Sequence, residues 1–116
     1  MPKDNLIQSK SFDFSLLIIQ LYMKLVEERE YVLSKQLLRS GTSIGANVEE
    51  AIAAQSRKDF IHKLSIASKE ARETKYWLRL LKESRLTNID VESHIFEIQQ
   101  IVNILTSIIK TTQENS

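Results

Sequence analysis

Apolar residues recur at alternating spacings of four and three along successive segments of this 116-residue chain, which is the periodicity of amphipathic α-helices. Only two glycines and one proline interrupt the chain, so strands and tight turns have little support. Short polar breaks divide the pattern into four segments, at about 11–28, 34–56, 58–84 and 90–112. The sequence therefore predicts a single all-α domain over residues 1–116, an antiparallel up-down-up-down four-helix bundle.

The first predicted helix carries more apolar residues than a bundle helix needs. Ser11 is predicted as its N-cap, with Asp13 in the first turn. One helix in a bundle needs only about three apolar positions in seven, yet apolar residues nearly encircle this one. One stripe consists of Phe12, Leu16, Ile19 and Met23. This excess, together with a second apolar line on the fourth helix, predicts a further buried surface and hence oligomerisation.

Both glycines fall inside the second predicted helix, at Gly41 and Gly45. Each costs about 1 kcal/mol of helix propensity relative to Ala. Because glycines four residues apart let another backbone approach closely, we interpret them as a close-packing site rather than a helix break. The core positions of this helix are predicted to be Leu37, Gly41, Ile44, Val48, Ala51 and Gln55.

The third and fourth predicted helices carry equally clear core patterns. In the third, the pattern is Phe60, Leu64, Ala67, Ala71, Thr74, Leu78 and Leu81. The fourth helix has Asn88 or Asp90 as its predicted N-cap, and residues 111–116 are predicted to be a frayed tail. Its core pattern is Val91, Ile95, Ile98, Val102, Leu105 and Ile109.

Polar side chains form matching stripes on the second and third helices. If the stripes face each other, the amide and hydroxyl of the second helix can donate to the carboxylates of the third, with the indole N–H as another donor. Such a network would fix the register between the helices. The predicted structural network consists of Ser43, Asn47 and Glu50 on the second helix and Glu70, Glu73 and Trp77 on the third.

The sequence lacks what several kinds of functional site require. The chain has no cysteine, which excludes disulfides, thiolate zinc sites and thiol catalysis. Carboxylate-bridged di-iron bundles use a Glu-x-x-His pair, but Asp59 precedes His62 and Val91 precedes His94 at that spacing. Residues 41–45, G-T-S-I-G, match the G-x-S-x-G spacing, but we predict a helix there and not the strand-to-helix turn that exposes such a serine as a nucleophile. We therefore predict no enzymatic activity, no catalytic residues, no metal and no cofactor.

The net charge of +1 hides a segregated distribution. Residues 57–85 hold nine Lys or Arg and four acidic residues, a balance of +5, whereas the flanking parts are mildly acidic. On a helical wheel six of these bases share a solvent-facing arc that also includes Tyr76. They are Arg57, Lys58, Lys69, Arg72, Lys75 and Arg79. The arc is either an ordinary solvated face or a surface that binds the phosphates of RNA or DNA.

The first ten residues lack the apolar segment and small-residue cleavage site of a secretory signal. The longest apolar stretch, residues 16–26, is much shorter than the roughly 20 residues that span a bilayer. We therefore expect a cytoplasmic protein that does not associate with membranes.

Residues 36–81 carry a specific series of motif residues. They are Gln36, Leu37 and Arg39, then Ser43, Ile44, Asn47 and Glu50, then Ser56 and Phe60, and finally Ala67, Glu70, Glu73, Trp77 and Leu78. In order and spacing these residues resemble the bacterial four-helix-bundle proteins encoded in intervening sequences of large-subunit ribosomal RNA genes, also labelled S23 ribosomal proteins. The resemblance covers about residues 10–110.

This resemblance implies a four-helix protomer in a cyclic homo-oligomer, a pentamer, without known catalytic activity. The accessory variability determinant of diversity-generating retroelements is similar, and it forms positively charged pentamers that bind nucleic acid and a reverse transcriptase. The resemblance also implies a structural role for Ser43, Asn47, Glu50, Glu70 and Glu73. We therefore expect a nucleic-acid-binding accessory protein that uses its third helix. The alternative is a protein-interaction adaptor or scaffold that uses the apolar excess and binds no nucleic acid.

Overall fold

The computed structural model describes residues 2–115, with side chains from residue 6 to residue 115. It contains the helices α1 (Pro2–Glu27), α2 (Leu33–Ile52), α3 (Arg57–Ser84) and α4 (Glu92–Glu114). Each helix packs on its neighbour in sequence and α4 closes the ring on α1, whereas within the described range no Cα atoms of the diagonal pairs come within 8 Å of each other. The prediction of an all-α up-down-up-down bundle is confirmed, and the bundle measures 47 × 21 × 21 Å.

The predicted core positions of α2 and α3 lie in the interior. On both helices they are buried, except that Phe60 is half-buried and Gln55 is exposed. Gln55 lies outside the core because α2 ends at Ile52, before the predicted residue 56. Ser56 is extended and its hydroxyl accepts a hydrogen bond from the Asp59 amide, so it caps α3 and the chain must leave α2 before it.

The predicted start of α1 is wrong. Ser11 is not an N-cap but a buried residue inside the helix, where its hydroxyl donates to the Gln8 carbonyl over 3.1 Å. A serine can satisfy its hydroxyl in this way in mid-helix, so its presence alone does not mark a boundary. The helix begins earlier because Ile7 extends the buried face formed by Phe14, Ile18, Leu21 and Leu25. Asp13 accordingly lies in the middle of α1, exposed to solvent.

Glu30 caps α2 from the preceding loop. Its carboxylate accepts hydrogen bonds from the backbone amides of Val32, Leu33 and Ser34, at 2.9, 2.9 and 2.6 Å. Partial burial alone would raise the pKa of Glu30, but these backbone donors hold its pKa below the ordinary value. The negative charge therefore sits where the positive end of the helix dipole favours it.

Both ends of α4 differ from prediction. Asp90 accepts a hydrogen bond from the Glu92 amide over 2.9 Å, so of the two predicted capping residues Asp90 supports the helix start, which lies at Glu92. The predicted frayed tail is helical as far as Glu114. Arg57 donates to the Asn115 carbonyl over 2.6 Å, which satisfies a carbonyl group at the end of α4.

The two glycines lie where α2 approaches α1, which confirms the predicted close packing. A Cβ atom at Gly41 would lie 2.8 Å from Cγ2 and 2.9 Å from Cγ1 of Ile18. At Gly45 the nearest atoms would be the Ser11 carbonyl oxygen and the Ser15 hydroxyl, both at 3.4 Å. A methyl group therefore does not fit at Gly41, but it fits at Gly45.

Gly41→Ala should destabilise the bundle, whereas Gly45→Ala should stabilise it. Ile18 is β-branched and fully buried, so it cannot move away from a new methyl group at residue 41. We expect overpacking to outweigh the propensity gain and to lower the free energy of unfolding by about 1–2 kcal/mol. The same substitution at residue 45 should raise it by up to about 1 kcal/mol. Urea unfolding of both variants measures the difference, and equal effects would contradict this packing.

Candidate nucleic-acid interface and polar network

The basic face of α3 consists of Arg57, Lys58, Lys69, Arg72, Lys75 and Arg79. All are exposed except Lys75, which is half-buried. Three of them reach toward α4: Arg72 lies 3.5 Å from the Thr106 hydroxyl, Lys75 donates to the Gln99 side chain, and Arg57 donates to a backbone carbonyl. The face therefore lies on the solvent side of α3 and borders α4.

The charges of the basic face are not paired with carboxylates in the described part of the chain. None of its six side chains forms an ion pair with a carboxylate among residues 6–115. Other cations do so: Lys63 lies 2.9 Å from Glu50, and Lys82 lies 2.6 Å from Glu92. The unpaired face is able to attract anions, and its contact with nucleic acid stays a prediction.

The acidic residues of α3 lie mainly on the other side of the helix, toward α2. Glu70 and Glu73 both accept hydrogen bonds from the Arg39 guanidinium, which lies 3.2 and 3.1 Å from the two Glu70 oxygens. The Trp77 indole donates to Glu73 over 3.0 Å, and together with Arg39 it holds the pKa of Glu73 below its usual value. Arg39 therefore offsets two of the negative charges of α3 on the side away from the basic face.

Of the three predicted donors of the polar network, the Trp77 indole is confirmed, whereas the two on α2 are wrong. Asn47 donates to the Ser43 carbonyl over 2.9 Å, and Ser43 donates to the Ser40 carbonyl over 3.0 Å, so both side chains bond within α2. Short polar side chains on a helix readily bond to the carbonyl one turn back, whereas the longer Arg39 reaches α3. Arg39 precedes Ser43 by four residues and shares its stripe, so extending the spacing toward the N-terminus could have found it. Glu50 pairs with Lys63 instead of joining the network.

A buried hydroxyl pair joins α2 to α3. The Ser40 and Thr74 hydroxyl oxygens lie 2.8 Å apart, and both residues are fully buried. The Thr74 hydroxyl also lies 2.8 Å from the Glu70 carbonyl of its own helix. If Thr74 donates to that carbonyl, it accepts from Ser40, so each hydroxyl is satisfied. The apolar spacing of α3 predicted that Thr74 is buried, but it did not predict Ser40 as its partner on α2.

Thr74→Val should cost about 1–3 kcal/mol of stability, because it leaves the Ser40 hydroxyl without its partner in the core. Ser40→Ala should cost less, since Thr74 keeps the Glu70 carbonyl as its acceptor. The double variant should recover most of the loss. Urea unfolding of this double-mutant cycle measures the coupling, and strictly additive effects would show that the two hydroxyls act independently.

An apolar stripe remains exposed on α1, as the sequence predicted. Phe12 is 61% exposed and Met23 is 59% exposed, with Leu16 and Ile19 between them. Part of the stripe lines an open groove of about 280 Å³ on the surface between α1 and α2, with small residues such as Gly45 and Ala46 along its α2 wall. The surplus on α4 is smaller than predicted, because Ile104, Ile108 and Ile109 pack against the core and Phe96 is the large apolar residue left exposed there.

The described residues contain neither a membrane-spanning helix nor a metal-binding cluster. No helix there is long and apolar enough to cross a membrane. No group of three or more metal-ligating side chains in this part of the chain is placed to hold a metal ion.

The sequence matches the profile of the 23S rRNA-intervening sequence proteins over residues 3–107. The chain belongs to the 23S rRNA-intervening sequence protein family. The predicted family resemblance is therefore confirmed, and the match includes the polar network and the basic face.

A solved structure shows the same fold within this family. It is the crystal structure of a protein of unknown function from the S23 ribosomal protein family of Bacteroides thetaiotaomicron. The two sequences are 54% identical, the match covers 93% of this chain and 98% of that one, and the TM-score is 0.88. No curated protein matches the sequence. The comparisons therefore establish the intervening sequence protein family and its fold.

Proposed function

We propose that this chain is a non-enzymatic, homo-oligomeric accessory protein that binds nucleic acid through the basic face of α3. The observation that carries the proposal is a row of six Lys and Arg side chains on one side of one helix, none of which pairs with a carboxylate of residues 6–115. Proteins that bind nucleic acid without reading its sequence rely on such charges, because each neutralised phosphate releases counterions.

Neutralisation elsewhere on α3 supports this proposal. An ordinary solvated face would mix both signs of charge. On α3, however, Glu70 and Glu73 lie on the side away from the basic face, where both form ion pairs with Arg39. Of the remaining acidic residues of α3, Asp59 lies in the first turn, where its charge interacts favourably with the positive end of the helix dipole. Glu83 lies at the C-terminal end of the basic face. The central turns of the basic face therefore present positive charge alone.

The apolar stripe of α1 supports self-association. Contiguous exposed apolar patches of more than a few hundred Å² are rare on monomers and usually mark interaction sites. We propose that the chain forms a cyclic assembly in which each copy covers the apolar stripe of the next copy. The family resemblance implies that this assembly is a pentamer. A ring would repeat the basic face several times, so that a modest footprint on one protomer becomes a strong field. A cytoplasmic location and a reverse transcriptase partner belong to the same proposal.

The second candidate function is a protein-interaction adaptor. The same exposed stripe and groove favour it, because a different protein could cover them in place of a second copy. Such an adaptor would not need the unpaired basic face, so nucleic-acid binding separates the two functions.

Fluorescence anisotropy with labelled RNA and DNA strands of about 16 nucleotides tests the proposed function. We expect binding at about 50 mM salt that weakens steeply toward 200 mM, with a slope of about −0.7 in log K against log salt for each phosphate contacted. The sequence of the strand should have little influence. If neither nucleic acid binds at the lowest salt, the proposed function is wrong and the adaptor remains.

A further inference from the structure

We propose that the basic face of α3 takes single-stranded rather than duplex nucleic acid, and that Tyr76 is the platform on which a base stacks. This inference rests on the proposed function and specifies its ligand. The ligand class is a flexible strand of RNA or DNA, held by its phosphates on Lys and Arg side chains and by one base on an aromatic ring.

Tyr76 lies within the C-terminal part of the basic face. Its side chain is 55% exposed, and Arg72 and Arg79 lie four residues before it and three residues after it. At 1.5 Å of rise per residue these cations lie about 6 and 4.5 Å along the helix axis on either side of the ring. An aromatic ring between two phosphate-binding groups is the arrangement that single-strand-binding surfaces use.

The structure also holds the Tyr76 ring in position. The Trp77 ring packs against it edge to face, with centroids 5.3 Å apart and planes at 64°. Trp77 is itself half-buried against the core, and its indole donates to Glu73. The platform therefore needs little ordering when a base arrives, and preorganised contacts contribute more to affinity.

Exposure alone would not support this inference, because single exposed aromatic residues are common on protein surfaces. Tyr31 makes the comparison within the same chain. It is 58% exposed, but it lies in the loop between α1 and α2, next to Glu30 and close to Glu28. Three cations lie within one turn of Tyr76, at residues 72, 75 and 79. One carboxylate lies there too, that of Glu73, but it is paired with Arg39. The charge around Tyr76 is therefore mainly positive, whereas that around Tyr31 is mixed.

The preference for single strands follows from the geometry of a base face. In a duplex each base is covered above and below by its neighbours, and proteins reach its edge through the grooves. A side chain on the surface of a straight helix can lie against the face of a base only when that base is unstacked. Tyr76 thus adds affinity for a flexible strand and little for a duplex.

The test compares single strands of about 16 uridines or thymidines with a blunt duplex of the same length at one salt concentration. Tyr76→Ala should weaken binding of both single strands by about 5- to 150-fold, while duplex binding changes by less than about twofold. Tyr76→Phe should keep the single-strand affinity, because the ring and not the hydroxyl stacks. The salt slope of Tyr76→Ala should equal that of the unchanged protein, since no phosphate contact is lost.

Tyr31→Ala is the matched control and should bind like the unchanged protein. If Tyr76→Ala binds single strands normally, or weakens single strands and duplex equally, base stacking at Tyr76 is wrong while phosphate binding by the basic face stands. If the unchanged protein binds neither form at low salt, both the proposed function and the stacking proposal fail. Circular dichroism and thermal melting should show native helicity in all variants, because Tyr76 and Tyr31 are exposed.

Discussion

Reversing two charges on the basic face, with Arg72→Glu and Arg79→Glu together, should weaken nucleic-acid binding by about 100- to 1,000-fold at low salt. Each reversal removes an attraction to phosphate of about 1 kcal/mol at contact distance and adds a repulsion of similar size. Both side chains are exposed, and neither forms an ion pair within the described residues, so the fold should not change. Anisotropy titration with a labelled strand measures the effect.

The control for this variant reverses two lysines elsewhere, Lys24→Glu with Lys35→Glu. Both lie exposed on other helices, and both double variants change the net charge by the same four units, from +1 to −3. If binding depends on the basic face, the control should lose far less affinity than Arg72→Glu with Arg79→Glu. Equal losses would mean that only the overall charge matters, and unchanged binding by the α3 variant would contradict the proposed interface.

The second large effect concerns the apolar stripe. Phe12→Lys with Met23→Glu should convert the proposed assembly into a 13.4 kDa monomer, while the net charge stays at +1. Burying one large apolar side chain contributes about 1.5–3 kcal/mol, and a charged group that takes its place in a closed interface adds a desolvation penalty. Both residues are largely exposed in the single chain, so the protomer should still fold. Multi-angle light scattering measures the mass.

Phe96→Lys with Leu86→Glu is the matched control for the stripe. These residues are exposed to a similar extent, at 61% and 54%, but they lie on α4 and in the loop before it. The control variant should keep the mass of the unchanged protein. Should the control dissociate while the α1 variant does not, the interface lies at that other surface and the proposed role of the stripe is wrong.

The helical periodicity predicted the buried residues well because burial repeats along a helix. Leu64, Leu78 and Ile98, for example, are predicted core positions and are fully buried. The residues at which helices begin and end were harder to predict, because these positions depend on single hydrogen bonds. Ser11 has the chemistry of an N-cap but bonds to the Gln8 carbonyl inside α1, and Glu30 caps α2 from a position that no short pattern marks.

In the candidate site, too, the periodic features could be predicted from the sequence and the individual side-chain contacts could not. Spacing on α3 was enough to group the basic residues, because a helix places residues three or four apart on one face. The polar network depends instead on which side chain is long enough to cross between helices. That depends on the separation of α2 from α3, and Arg39 was long enough where Asn47 was not. Tyr76 was visible within the basic arc, but its support by Trp77 appeared only in three dimensions.

Sedimentation velocity of the unchanged protein, alone and with a labelled single strand, tests the central claim most directly. We predict that the protein alone sediments as a multiple of 13.4 kDa. We further predict that the strand sediments with it at about 50 mM salt and is released as the salt approaches 200 mM. A 13.4 kDa species with a free strand at the lowest salt would contradict both the assembly and the nucleic-acid interface.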